Sequence, residues 1–268
     1  MIKLNNKTAI ITGGAGALGG SLAAHLASKG VKVAILGRTG KTVHNKVKHL
    51  QENGGEALAL VADALDKTSL ENARNLILSQ WGQIDILINA AGGNMGAATI
   101  MPDQSFFDMD TDAFEKVVQL NLSSAVLCCQ VFGWAMANSG KGNILNISSM
   151  AAQLPLTRVI GYSAAKAALD NFTKWLAVEM ATKYGEKLRV NAIAPGFFIG
   201  EQNKKLLLND DGSLTARAQT IIDQTPMRRF GKAEELNGVV EYLVSEAASF
   251  VTGVVIPVDG GFSAFSGV

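Results

Sequence analysis

Apolar residues in this chain fall in short unbroken runs, separated by longer stretches of helical period. Runs at 8–12, 32–36, 57–61, 84–89, 143–147, 189–193 and 254–258 read as strands. They are apolar at consecutive positions rather than alternate ones, as expected where both faces of a sheet are covered. Helical patterns lie between them near 18–29, 40–53, 67–80, 111–137, 161–184 and 233–245. Strand and helix in alternation predict a parallel sheet with right-handed crossovers. The expected fold is a single-domain α/β, Rossmann-like, doubly wound parallel sheet of about seven strands with helices on both faces. Residues 197–230 break the rhythm. Their LLLNDDGSL run is polar and turn-rich, which predicts a mobile excursion over the site that serves as a substrate lid.

Composition narrows the function classes. At 268 residues with 48% hydrophobic content, the chain can bury a large core, and no Pro/Ser-rich linker, repeat or charge run divides it. The net charge of +1 and the scattered Lys and Arg residues give no field suited to nucleic acid or a membrane surface. The first residues, MIKLNNKTAII, lead into a strand and lack the pattern of a signal peptide. No apolar run reaches the roughly 18 residues that span a bilayer. Cys128 and Cys129 are adjacent in an apolar helical stretch and read as small core residues in a reducing cytoplasm. His25, His44 and His49 sit on amphipathic segments, and no metal-ligand spacing is present.

The first strand runs into TGGAGALGG. Gly14, Gly16 and Gly19 fit the G-x-G-x-x-G spacing, with Gly13 ending the strand and Ala17 and Leu18 opening the helix. Glycines permit the tight turn and the close approach of a pyrophosphate, and the helix start offers it free N–H groups. The second strand ends Leu36-Gly37-Arg38, without the carboxylate that would bond a ribose 2′-hydroxyl. Arg38 can hold a 2′-phosphate instead, so NADP(H) is favoured and NAD(H) is the alternative. Asp63 and Ala64 follow the third strand and suit the adenine. Asn89, Ala90, Ala91 and Gly92 follow the fourth, small enough for the backbone to approach the adenosine ribose.

Tyr162 and Lys166 lie one helical turn apart in YSAAK, and Ser149 follows the fifth strand. A phenol is a poor base below pH about 10, but a neighbouring ammonium favours the phenolate and is expected to lower the Tyr162 pKa. The tyrosine can then give or take the proton of a carbinol oxygen that Ser149 orients.

On these residues the chain resembles the short-chain dehydrogenase/reductase family over nearly its whole length. TGGAGALG resembles that family's TGxxxGxG segment, NAAG its NNAG segment, and ISS…YSAAK its Ser/Tyr/Lys core. The resemblance implies that Asn121 helps hold a relay water beside the lysine. It also implies that Pro195 and Gly196, with Phe198 just beyond, lie near the nicotinamide, and that the protein is a homotetramer or homodimer through helices 111–137 and 161–184. Ala17 and Ala90 depart from the family pattern, and Gly16 stands where NADP-preferring members often carry a cation. The C-terminal third is similar to the short-chain type of D-mannonate oxidoreductases (fructuronate reductases), which implies a sugar-acid substrate. For such an acid the candidate contacts are Arg158 for the carboxylate, with Asn94, Gln202 and Asn203 for the hydroxyls and Lys204 and Lys205 as further cations. Arg228 and Arg229 read as anchors of the excursion. A gluconate 5-dehydrogenase, a 3-oxoacyl carrier-protein reductase and a dinucleotide-sensing regulator are the alternatives; the regulator is disfavoured because both Tyr162 and Lys166 are present.

Overall fold

Seven strands form one parallel sheet in the computed structural model, which describes residues 2–200 and 203–267, Lys205 by its backbone only. They are β1 (Thr8–Thr12), β2 (Lys32–Gly37), β3 (Ala57–Val61), β4 (Ile86–Asn89), β5 (Gly142–Ile147), β6 (Leu188–Pro195) and β7 (Val255–Val258). The helices are α1 (Ala17–Ser28), α2 (Gly40–Glu52), α3 (Lys67–Trp81), α4 (Thr111–Val118), α5 (Ser124–Ser139), α6 (Ile160–Tyr184), α7 (Lys204–Leu207), α8 (Ala216–Gln224) and α9 (Asn237–Leu243). The strand order is β3-β2-β1-β4-β5-β6-β7, and every pairing is parallel. The order reverses between β1 and β4. At such a switch point the crossovers diverge to opposite faces and leave a crevice at the carboxyl ends of the strands.

The unbroken apolar runs have a direct cause. Successive strand side chains point to opposite faces. Ala9 and Ile11, Val33 and Ile35, and Ile86 and Ile88 enter one core with α1, α2 and α9. Ile10, Ala34, Leu36 and Leu87 enter the other, with α3, α5 and α6. Ile10 and Ile11 are both fully buried; each such side chain stabilises the fold by roughly 1.5–3 kcal/mol.

Three expectations need correction. The helix expected at 111–137 is interrupted by a π turn at Gln119–Ser123, so α4 and α5 flank Asn121. A one-residue widening does not disturb the apolar period enough to be read from sequence. Taken across that turn, Thr111–Ser139 is 29 residues long with a hydropathy of 1.4 in its most apolar window, long and apolar enough to pass for a membrane span. Half of that window is buried, and Cys128, Val131, Phe132 and Met136 belong to the core, so it is a core helix. The stretch expected to be one helix at 233–245 is a 3-10 turn, Ala233–Leu236, followed by α9.

The 197–230 segment is also more ordered than its composition suggests. It contains α7 and α8, joined by a bridge between Leu208 and Leu214. Leu207, Ala218 and Ile221 form a small core with Phe197 and Phe230. Its far end is pinned by Arg229, whose guanidinium meets Glu235 at 2.6 and 2.7 Å, and by Arg228, which donates to the Asp223 carbonyl at 2.8 Å.

Candidate active site

All strands being parallel, their carboxyl ends gather the sequence-predicted residues along one edge. Gly13 adopts φ +64, and a Cβ there would lie 2.9 Å from the backbone of Ala90 and Ala91. A Cβ on Gly19 would lie 2.6 Å from the Gly13 carbonyl oxygen. These two glycines therefore let β1, the turn and α1 close on one another. Thr12 Oγ1 completes the junction by accepting the Ala90 and Ala91 N–H groups at 3.1 and 3.0 Å. The α1 N-cap, Gly16, gives no side-chain bond, and no acidic residue occupies the first turn at Ala17, Leu18 and Gly19. Those amides are free for an anion such as a pyrophosphate, so the turn fits a dinucleotide. The excursion starts over this turn: a Cβ on Gly200 would be 3.6 Å from that of Ala17.

Arg38 is exposed just past β2. Asp63 is half-buried, with one carboxylate oxygen accepting the Leu65 N–H at 2.9 Å, and Ala64 is buried beside it. Asn89 faces inward. Its amide donates to Asn146 at 2.9 Å and to the Cys129 sulfur at 3.3 Å, so only its backbone can line the crevice. Burial pushes the Cys129 thiol up to about 12, and Cys128 is raised further by burial and by Cys129, which leaves both thiols protonated and inert. Pro195 ends β6, and a Cβ on Gly196 would meet the Asp259 backbone at 2.7 Å. Phe198 buries its ring in the main core against Gly231, so its side chain is not available to a cofactor.

Asn121, in the π turn, is 1% exposed. Its amide oxygen accepts the Gly93 N–H at 3.0 Å, and its amide nitrogen donates to the carbonyls of Gly93 at 2.6 Å and Val117 at 2.8 Å. The side chain thus clamps the turn after β4 to the α4–α5 junction. Ser149 caps the short 3-10 turn Met150–Ala152, accepting the Ala151 N–H at 3.1 Å, and is hydrogen-bonded to the Tyr162 hydroxyl. Lys166 is fully enclosed. Its ammonium donates to the Ile147 carbonyl at 2.7 Å and lies 5.6 Å from the centre of the Tyr162 ring.

The electrostatics differ from expectation. Burial raises the Tyr162 pKa, and the Ser149 hydrogen bond opposes it without prevailing. The lowering anticipated from Lys166 does not emerge; desolvation of the phenolate sets the direction instead. Burial also pushes Lys166 down to about 8, against the attraction of Asp170. Asp170 was not anticipated. It follows Lys166 by one turn of α6, accepts a short hydrogen bond from Ser148, and is itself raised by burial. The i, i+4 spacing from Lys166 was the available signal.

The predicted substrate contacts divide. Asn94 is exposed and donates to Thr99 at 2.7 Å. Arg158 stands before α6 with φ +76, and its carbonyl accepts the Ile100 N–H at 3.0 Å. Asn203 spends its amide on the excursion itself, accepting from Gly200 N–H and donating to the Phe198 carbonyl, both at 2.8 Å, so it pins that backbone rather than facing a substrate. Gln202 lies outside the described residues, as does the side chain of Lys205. Arg217, which sequence reasoning passed over, donates to the Thr157 hydroxyl at 3.1 Å and carbonyl at 3.4 Å, next to Arg158.

Comparison with known proteins agrees with this geometry. Residues 13–263 match the family model described as enoyl-(acyl carrier protein) reductase. An uncharacterized oxidoreductase of Bacillus subtilis, UxuB, is 49% identical, covering 99% of this chain and 98% of its own. A structure from Haemophilus influenza with bound NAD, provisionally assigned as a D-mannonate oxidoreductase, superposes with a TM-score of 0.93 at 44% identity, covering 100% of this chain and 98% of that one. A Beutenbergia cavernae structure with bound NADP at low occupancy, provisionally a gluconate 5-dehydrogenase, gives 0.85 at 31% identity over 98% of this chain and 99% of that one. The chain belongs to the short-chain dehydrogenase/reductase family and is an NAD(P)-dependent oxidoreductase.

Proposed function

We propose that this protein interconverts a keto sugar acid and its secondary alcohol, D-fructuronate and D-mannonate, and prefers NADP(H) to NAD(H). The observation that carries the reaction type is the cluster of half-buried Ser149 and Tyr162 over the buried Lys166 at the carboxyl edge of the sheet. The substrate reading rests on the full-length similarity to the H. influenza protein named for D-mannonate. The NADP preference rests on the exposed Arg38 and on the absence of an acidic residue at the end of β2.

The bound nicotinamide supplies the hydride that reduces the carbonyl carbon. Tyr162 gives its hydroxyl proton to the developing alkoxide and takes it back in oxidation. A raised pKa keeps the phenol protonated and ready to donate. Ser149 accepts from the Ala151 amide and turns its O–H toward Tyr162, where a bound substrate oxygen would take up that hydrogen bond between the two side chains. Lys166, fixed by the Ile147 carbonyl with its ammonium 5.6 Å from the Tyr162 ring centre, supplies the proton that recharges the phenol. Because the Asn121 side chain is spent on Gly93 and Val117, a relay water would meet its main-chain carbonyl. Residues 197–230 act as the lid, since they start above the nucleotide turn and carry their own apolar core. Trp134, Trp175 and Val178 are exposed apolar residues on α5 and α6 and support pairing of these helices between subunits of a homotetramer or homodimer. A reducing, cytoplasmic setting agrees with two buried free thiols.

The test is a panel of hexuronates, aldonates, simple ketones and an acyl thioester, assayed with NADPH and with NADH by nicotinamide absorbance. D-Fructuronate with NADPH is expected to give the highest kcat/KM. Activity confined to the acyl thioester would overturn the sugar-acid class, and tighter use of NADH would overturn the role given to Arg38. A gluconate 5-dehydrogenase reading, favoured by the B. cavernae similarity, predicts the 5-keto aldonate instead.

A further inference from the structure

The lid carries three arginines, and they are not treated alike. Arg229 forks onto Glu235 at 2.6 and 2.7 Å, and Arg228 has Asp223 at 3.8 Å. Arg217, half-buried on α8, has no carboxylate partner among the described residues, and neither does Arg158. Arg217 reaches instead across to the loop before α6. Its Nη1 and Nη2 donate to Thr157, which places the guanidinium beside residue 158. Two of its five N–H donors are thereby used and three remain. Two acidic residues of the lid are engaged elsewhere: Asp223 with Arg228, and Asp211 with Ser213.

The Thr157–Arg158 loop belongs to the site. Arg158 lies one turn ahead of Tyr162, and its carbonyl is tied to Ile100 at 3.0 Å. The loop ending at Ile100 in turn packs Met95 and Ala98 against the same small cluster as Tyr162. Three segments therefore meet at the mouth of the crevice: the turn after β4, the approach to α6 and the start of α8. Arg158 holds a left-handed backbone, φ +76, which costs a non-glycine residue on the order of 1 kcal/mol or more and persists where surroundings impose it. Burial and the neighbouring charge of Arg158 both disfavour the charged Arg217. Two partly buried cations side by side are tolerated best when an anion joins them.

We infer that Arg217 and Arg158 together form a two-guanidinium subsite for the substrate carboxylate, so that the lid itself contributes to selection of an acid over an uncharged ketone. Paired forks suit the planar, two-oxygen geometry of a carboxylate better than a single lysine does. The inference rests on the sugar-acid reading above and extends it to a residue on a different segment from the reacting groups.

The experiment compares D-fructuronate with its uncharged amide, for wild type, Arg217→Gln and Arg217→Lys. Melting temperature and NADPH affinity are measured alongside. Arg217→Gln retains a donor for Thr157 and loses the charge. It is expected to raise KM for the acid about 10- to 100-fold, the range for a charge-assisted bond, with kcat and the KM of the amide within about twofold. Arg217→Lys is expected to fall between wild type and Arg217→Gln. Equal loss on acid and amide, or a lowered melting temperature with weakened NADPH binding, would make Arg217 a structural tie and overturn the subsite. A wild type that prefers acid to amide, with that preference intact in Arg217→Gln, overturns the subsite while leaving the sugar-acid reading standing. A wild type indifferent to the charge overturns both.

Discussion

Replacing Asn121 by alanine tests whether the π turn is built to hold the nucleotide crevice. The side chain is 1% exposed and makes three hydrogen bonds, two to Gly93 and one to Val117. At a net worth of roughly 1 kcal/mol each, their loss costs about 3 kcal/mol. For a chain of this size that lowers the melting temperature by about 6–12 °C, at roughly 2–4 °C per kcal/mol. Gly92 transmits the change to the site, because a Cβ there would lie 2.6 Å from the Asn121 amide oxygen and 3.3 Å from the Lys166 ammonium. With the clamp gone, the turn after β4 loosens beside Lys166 and NADPH binding weakens. Thermal melts at matched protein concentration, with NADPH affinity from nicotinamide fluorescence, give the two readouts. Asn121→Asp keeps an acceptor for the Gly93 N–H but loses both donated bonds and buries a carboxylate, so it should be no better than alanine. A melting temperature within about 2 °C of wild type, with unchanged NADPH affinity, would refute the clamp.

Tyr162→Phe should retain NADPH binding and lose turnover by roughly 10²–10⁴-fold, the contribution of a positioned proton donor; a loss under about tenfold would remove Tyr162 from the proton transfer. Lys166 loses its proton near pH 8 when folded, so the reductive rate should fall as pH rises past about 8, and a profile flat to pH about 10 would contradict its part in recharging Tyr162. The stability sign follows from the same shift. Between about 8 and the ordinary lysine value near 10.4 the unfolded chain binds more protons, so this residue makes the fold more stable with rising pH across that window. Denaturant titrations of wild type and Lys166→Met across that window should differ in slope in that sense.

The local chemistry of this protein was legible in its sequence. Seven apolar runs, the glycine turn after β1 and the one-turn spacing of Tyr162 and Lys166 are all properties of neighbours along the chain. Backbone geometry converts those spacings into strand, tight turn and shared helix face with little help from distant residues. The order of the strands then follows from crossovers of one hand, which is why the edge holding residues from Gly13 to Gly196 could be anticipated. What tertiary packing alone decided lies at the points where distant segments touch. The π turn that aims Asn121 at Gly93, the balance in which burial outweighs the Ser149 hydrogen bond at Tyr162, and the engagement of Asn203 by its own backbone depend on neighbours far away or on desolvation, which no spacing encodes. Arg217 is the clearest case. Nothing in its own segment distinguishes it from Arg228, and only the seating of α8 on Phe197 and Phe230 carries it to Thr157, sixty residues earlier in the chain.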